Sequence, residues 1–310
     1  MTNSDPSHKE PQIIRTIGEL RAAVSTYRKS DLTGKIGFVP TMGYLHEGHA
    51  SLIRRSAAEN GLTVLSIFVN PIQFGPNEDL DKYPRDEARD LKVAAASGAS
   101  IIFLPTVAEM YPTKRVTTVS VNEVSDFLCG ASRPGHFDGV ATVVAKLFNI
   151  VQPDRAYFGM KDAQQVAVIT RMVQDLNMPV EVVPCPIVRE ADGLALSSRN
   201  VYLDTKSRSE ATILSKALAK SESWISEGTT AADLISRISS AIKGQSAIAD
   251  IDYVDVLAYP GLTHLEQGKP LASIDADVLI AVAVRFGQTR LIDNKLLNPA
   301  KAGAIPCSAK

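Results

Sequence analysis

Two histidines three residues apart, His46 and His49, flank Gly48 just after a short apolar run. Residues 35–39 read as a buried strand, and Leu52, Ile53, Ser56 and Ala57 repeat at helical spacing over 50–59. On a first helical turn this spacing puts both imidazoles on one face, about 5–6 Å apart at Cβ. A helix N-terminus adds free N–H groups and the positive end of its dipole, which suits a phosphate. Phosphate binding with imidazole donors is one reading, and helix capping is the plain one. Metal binding ranks below both, because no acidic or cysteine ligands cluster there.

Four other groups carry chemistry. Lys161 stands beside Asp162 where a strand meets a helix, as a phosphate-binding lysine does, with Gly159 permitting close backbone approach. A solvated helix start is the alternative. Ser197-Ser198-Arg199 combines two hydroxyls and a guanidinium into a polyphosphate clamp, or is ordinary surface on a mobile loop. The amides of Asn70 and Gln73, next to Phe74, suit hydrogen bonding to a neutral or anionic substrate, and they suit a strand-ending turn equally well. Arg133 and His136 lie in a Pro-Gly loop that reads better as a turn than as an anion contact. Asp79, Asp81, Asp86 and Asp90 include candidate magnesium ligands, although surface charge is the better reading for most of them.

These residues need elements to hold them. The run 63–70, a helix over 83–97 and the run 101–104 follow the first strand and helix. Strand, helix, strand, helix, strand is a doubly wound α/β pattern, in which ligands sit beyond the carboxyl ends of the strands. An edge strand is expected over 116–121. Val140, Val143, Val144, Leu147, Phe148 and Val151 mark a helix. A strand over 155–158, a helix capped by Asp162 and running to Leu176, and a strand over 180–184 complete the first part. Thereafter the pattern changes to a long helix over 205–227, a second over 231–242, and strands over 251–257, 277–286 and 289–293. The expected division is a mobile arm over 1–11, a Rossmann-like domain over 12–190 and a smaller α+β domain over 191–310 with a flexible tail after Pro299.

The whole chain narrows the function classes. It has 310 residues, a net charge of −1, 45% hydrophobic and 22% charged residues, ordinary for a soluble globular protein and without bulk attraction for nucleic acid or membrane. Cys129, Cys185 and Cys307 are scattered and fit a reducing cytosol. Residues 1–10 do not read as a signal peptide, and no apolar run reaches membrane-spanning length.

Five motifs stand out: Pro40-Thr41-Met42-Gly43-Tyr44-Leu45-His46-Glu47-Gly48-His49; Asn70-Pro71-Ile72-Gln73-Phe74; Arg133-Pro134-Gly135-His136-Phe137-Asp138-Gly139-Val140; Gly159-Met160-Lys161-Asp162-Ala163-Gln164-Gln165; and Arg189 to Asn200. Taken together they resemble the pantoate–β-alanine ligase family. They keep the family's order and spacing from about 38 to 203, and the likeness continues more loosely to about 295. Met160 departs from a position that is often polar in the family.

The resemblance implies a Rossmann-like adenylating domain with a C-terminal lid, in a cytoplasmic homodimer using ATP and magnesium. It implies two steps. The carboxylate of (R)-pantoate attacks the α-phosphorus of ATP, giving pantoyl adenylate and pyrophosphate; the amine of β-alanine then displaces AMP to give pantothenate. It assigns His49 as proton donor, with His46 and Lys161 also catalytic. Met42, Gly43, Tyr44, Leu45, His46, Glu47, Gly48, His49, Gly159, Met160, Lys161, Asp162, Val188, Leu196, Ser197, Ser198 and Arg199 line the nucleotide. Gln73 is a contact for both pantoate and β-alanine, and Gln165 a contact for pantoate. The metal ligands stay unassigned. The rivals are a nucleotidyltransferase without ligation and a non-catalytic nucleotide sensor; a dehydrogenase is weaker, since the first strand–helix turn lacks GxGxxG.

Overall fold

The computed structural model describes residues 10–76, 78 and 80–301. Most of the expected arm, Asp79, Cys307 and the tail beyond 301 lie outside the described residues. By compactness the chain forms two units. Unit 1 takes in the chain up to Val121, Arg133–Met160 and Val168–Val188; unit 2 takes in Asn122–Ser132, Lys161–Ala167 and the chain from Arg189.

Unit 1 is built on a six-stranded sheet of β1 (Gln12–Ile14), β2 (Ile36–Thr41), β3 (Leu62–Ile67), β4 (Ile101–Phe103), β5 (Arg155–Gly159) and β6 (Glu181–Cys185). Their order is β1-β4-β3-β2-β5-β6, and every neighbouring pair is parallel. This is the expected doubly wound α/β class. The strands are apolar on both faces because helices cover them: Phe38, Val39, Val64, Leu65, Ile102 and Phe103 are all fully buried. The order reverses at the β2/β5 seam, since β2 leads to β3 on one side and pairs with β5 on the other. A crevice beyond the carboxyl ends of the strands at such a seam is where open α/β sheets bind ligands. β2 ends at Thr41 and β5 at Gly159, immediately before two of the motifs.

Unit 2 carries a separate antiparallel sheet of β7 (Ala249–Ala258), β8 (Thr263–His264), β9 (Val278–Phe286) and β10 (Thr289–Leu297), in the order β10-β9-β7-β8. Leu214, Leu218 and Ile225 from one helix, Leu234, Ile238 and Ile242 from the next, and Ile280, Val282 and Val284 from β9 share one buried core.

Several expectations need correction. Residues 116–121 form no strand. Val116 is 92% exposed, and the Val119 N–H donates to Thr142 Oγ1 at 3.0 Å, outside any ladder. The edge of the sheet is instead β1, too short to show a period. The helix expected over 205–227 is two helices, Thr205–Glu210 and Ile213–Ser226. At the break Thr212 Oγ1 donates to the Ser209 carbonyl, an interaction that competes with the backbone ladder. The helix expected over 83–97 starts only at Glu87, because Asp86 caps it by accepting the Arg89 N–H. A helix over Ile17–Ser30 went unread, although Thr16 and Glu19 form a capping box.

Candidate active site

In unit 1 the loop Met42–Leu45 joins β2 to the helix Glu47–Glu59. Gly43 has φ +87°, and a Cβ there would lie 2.9 Å from both Asp90 Oδ2 and Ile67 Cγ2, so only glycine fits. Tyr44 also takes a positive φ, 50°. Two features hold this unusual backbone. Leu45 is fully buried, worth roughly 1.5–3 kcal/mol of anchoring. The Asp90 carboxylate accepts the N–H of Tyr44 at 2.8 Å and of Leu45 at 2.6 Å. Asp90 is 2% exposed, which corrects its reading as surface charge. Burial pushes its carboxyl up, against the pull of the two N–H groups.

His46 and His49 form a capping box in place of the usual hydroxyl and carboxylate. His46 is the N-cap, and its Nδ1 accepts the Gly48 N–H at 3.2 Å. His49 is the third residue of the helix, and its Nδ1 accepts the His46 N–H at 3.3 Å. A backbone N–H can only donate, so both Nδ1 atoms are unprotonated, and each neutral ring carries its proton on Nε2. The rings lie 4.0 Å apart between centroids. Capping, one of the alternatives read in the sequence, is thus what the Nδ1 nitrogens of both rings do. Glu47 points away and pairs with Arg54, while the Tyr44 ring lies 4.5 Å under the Arg89 guanidinium.

Gln73 is brought to the same loop. Its Nε2 donates to Met42 Sδ at 3.1 Å. Its amide orientation follows from a chain of unambiguous partners. Asn70 Nδ2 donates to the Gly139 carbonyl at 3.2 Å, which fixes the Asn70 amide; the same group then donates to Gln73 Oε1 at 3.1 Å. Tyr111 donates to Asn70 Oδ1 at 2.9 Å, and burial pushes its phenol up to about 12, so it remains a donor. The carbonyl end of Gln73 is committed, and its NH₂ end is the one suited to a substrate oxygen. The main chain of Gln73 is held as well. His136 Nδ1 lies 2.8 Å from the Gln73 carbonyl, and Arg133 Nη1 lies 3.0 Å from His136 Nε2. Arg133 forms a bidentate pair with Glu78 at 2.7 and 2.5 Å. Burial opposes the Glu78 charge, but Arg133 holds its carboxyl below the ordinary range. The Arg133/His136 segment is therefore a support for Gln73 and more than a turn. Gly159 ends β5, Met160 follows in a tight turn, and Val188 is half-buried beyond β6.

Unit 2 holds the remaining candidates. Lys161 and Asp162 lie in a 3₁₀ turn, Met160–Asp162, that runs into the helix Ala163–Asp175; Lys161 Nζ is 3.6 Å from Asp162 Oδ1. Gln165 is half-buried on that helix. Its neighbour Gln164 is a clamp: Oε1 accepts the Cys129 N–H at 3.0 Å, and Nε2 donates to the Val124 and Phe127 carbonyls at 3.1 and 2.6 Å. Leu196, Ser197, Ser198 and Arg199 follow a tight hairpin in which Arg189 bridges to Ala195. Ser197 caps the turn Ser198–Tyr202 by accepting the Arg199 N–H at 3.3 Å. Asn200 donates to Glu190 and to the Ala195 carbonyl, both at 3.1 Å, and Arg208 pairs with Glu190 and Asp192, both at 2.7 Å. Lys161 and Ser197 line one small hollow together with Asn200 and Asp293.

Sequence reading missed the supports: Asp90 beneath the loop, Gly139 against Gln73, and Asp293 and Asn294 in β10. The signal for the last two was present, as polar residues that, with Lys295, separate Leu291-Ile292 from Leu296-Leu297. Among the described residues no group of three or more histidine, cysteine or acidic side chains could hold a metal ion. Nor is any of their helices long and apolar enough to cross a membrane.

Residues 12–296 match the family model of pantoate-beta-alanine ligase. The pantothenate synthetase of Geobacillus kaustophilus is 54% identical over 291 residues, 94% of each chain. That of Acetivibrio thermocellus is 54% identical over 287 residues, 92% of this chain and 99% of its own. Among solved structures, pantothenate synthetase from Thermus thermophilus is similar with TM-score 0.83 at 45% identity, covering 92% of this chain and 98% of the other. Pantoate-beta-alanine ligase from Francisella tularensis, complexed with beta-gamma ATP and beta-alanine, is similar with TM-score 0.73 at 33% identity, covering 93% and 99%.

Proposed function

This chain belongs to the pantoate-beta-alanine ligase family, and we propose that His46, His49, Lys161 and Ser197–Arg199 carry the family's reaction on ATP, with Gln73 and Gln165 receiving the acid. The reaction is the ATP-dependent condensation of pantoate with β-alanine. A carboxylate is a poor acyl donor because oxide leaves badly. In the first step a pantoate carboxylate oxygen bonds to the α-phosphorus, and the bond to the bridging oxygen breaks, releasing pyrophosphate. In the second the β-alanine nitrogen bonds to the acyl carbon, the carbon–oxygen bond to AMP breaks, and the nitrogen gives up a proton.

Phosphoryl transfer needs positioning and charge stabilisation more than proton chemistry. The observation that carries the assignment is the double histidine cap. With both Nδ1 atoms accepting backbone N–H groups, Nε2 is the proton-bearing nitrogen of each ring at the positive end of a helix. Such donors suit the phosphate oxygens of ATP, with the helix N-terminus adding its dipole. Lys161 supplies a full charge, and Ser197, Ser198 and Arg199 supply hydroxyl and guanidinium donors. Met42 to Leu45, Glu47, Gly48, Gly159, Met160, Asp162, Val188 and Leu196 are assigned to the nucleotide by resemblance. The NH₂ end of Gln73, and the amide of Gln165, hold a hydroxy acid without pairing its carboxylate with a cation, so the carboxylate stays nucleophilic.

Magnesium enters as part of the substrate. The described residues make no carboxylate cage for it, and Mg²⁺ is commonly held by nucleotide phosphates and water. A homodimer in the cytoplasm completes the reading on the family resemblance, and sedimentation at micromolar concentration tests the dimer. The function is tested by ATP–pyrophosphate exchange, which is expected to require pantoate, and by AMP release, which is expected to require β-alanine as well. Exchange supported by other hydroxy acids but not by pantoate would overturn the substrate assignment.

A further inference from the structure

We infer that Asp293 and Asn294, adjacent on β10, are positioning residues that hold the two phosphate-binding segments of unit 2 in register with each other. The inference rests on the reading of Lys161 and Ser197–Arg199 as triphosphate contacts.

Successive residues of a strand face opposite sides, so a strand with one covered face hides only one of two neighbouring side chains. Here both are hidden: Asp293 is 3% exposed and Asn294 5%. Burying a carboxylate and an amide is costly unless both are partnered. Their partners are the two segments in question. Asp293 accepts a bidentate pair from Arg189, Nη1 to Oδ2 at 2.6 Å and Nη2 to Oδ1 at 2.9 Å. Arg189 Nη1 also donates to the Gly193 carbonyl at 3.1 Å, closing the hairpin that leads to Ser197. Asn294 Nδ2 donates to the Lys161 carbonyl at 2.9 Å, directly on the residue whose ammonium is the proposed phosphate contact. β10 is itself paired with β9 without a break from Thr289↔Phe286 to Leu297↔Val278. One rigid strand therefore sets the offset between a lysine and a pair of serines that are more than thirty residues apart in sequence. That Lys161, Ser197 and Asp293 line the same hollow is what this arrangement produces.

The test separates positioning from plain stability. Asn294→Asp keeps the size of the side chain but turns an oxygen toward the Lys161 carbonyl. Asp293→Asn removes the charge that Arg189 pairs with. In pantoate-dependent ATP–pyrophosphate exchange each variant is expected to lose roughly 10- to 100-fold in kcat/KM for ATP, the scale of a small misplacement of a reacting group. The KM for pantoate is expected to change less than about twofold, because only the nucleotide contacts are displaced. Arg189→Gln combined with Asp293→Asn is expected to be no worse than Arg189→Gln alone, since both act through one pair. Exchange kinetics for ATP within about twofold of the parent in folded variants, or parallel losses for ATP and pantoate, would overturn the inference. Asn294→Ser provides the same readout where Asp293→Asn does not fold. Absence of pantoate-dependent exchange in the unaltered protein is a different outcome, and it overturns the functional reading itself.

Discussion

His49 accepts the backbone N–H of His46 through Nδ1 at 3.3 Å, so the imidazole proposed to meet phosphate is also what closes the N-terminus of its own helix. Replacing it removes a donor and a cap together. His49→Ala is expected to lower pantoate-dependent exchange about 10²- to 10³-fold, the usual cost of one stabilising donor. Stability should fall by only about 1 kcal/mol, the cost of a lost cap. A folded His49→Ala protein with near-parent exchange would remove His49 from the chemistry.

Asp90 makes a second prediction. Its carboxylate accepts two backbone N–H groups of the Met42–Leu45 loop from a buried position. Asp90→Ala leaves both donors without their acceptor, and a loss of roughly 2–4 kcal/mol is expected, read from urea unfolding. Asp90→Asn can replace at most one acceptor and should fall between. Magnesium dependence of exchange should keep its midpoint in Asp90→Asn; a large shift in that midpoint would contradict the assignment of Asp90 to the loop.

Gly139 is packed against the proposed acid contact. A Cβ there would lie 2.5 Å from both Gln73 Cα and the Ile72 carbonyl oxygen, and backbone cannot yield as a side-chain tip does. Gly139→Ala is expected to cost about 1–3 kcal/mol by overpacking and to raise the KM for pantoate more than that for ATP. Equal effects on both substrates would indicate a general loss of packing.

The Glu78–Arg133 pair predicts a pH dependence. Its carboxyl is held below its ordinary value of 4.5 in the folded protein, so its contribution is present above that value and is lost as pH falls through the folded value. The pair is only partly buried, at 24% and 17% side-chain exposure, so its contribution should be about 1 kcal/mol. Glu78→Gln should be less stable than the parent near neutral pH, and the difference should shrink below pH 4.5. A difference that stays constant from pH 3 to pH 7, roughly the span of carboxylate titration, would show that charge is not what the pair contributes.

The amino-acid order alone determined the strand–helix alternation, because buried parallel strands must be apolar on both faces and their helices on one. It also determined which loops leave the strands at the carboxyl ends, and hence the Met42–His49, Asn70–Phe74 and Gly159–Asp162 motifs. Long periodic elements such as 140–151 were legible within a few residues. Short or irregular ones were not: β1 has three residues, and within 116–121 the Val119 N–H is met by a side chain twenty-three positions away.

What only the tertiary structure decided is which polar groups hold which segments in place. Asp90 and Asp86 are four residues apart and indistinguishable as letters, yet one caps its own helix and the other is buried under a loop forty-five positions earlier. His46 and His49 could be caps or donors until the geometry gave Nδ1 to the backbone. Asp293 and Asn294 look like interruptions of a strand until Arg189 and Lys161 come to them. A polar side chain is defined by its partner, and partners distant in sequence meet only when burial makes an unpaired group too costly to keep.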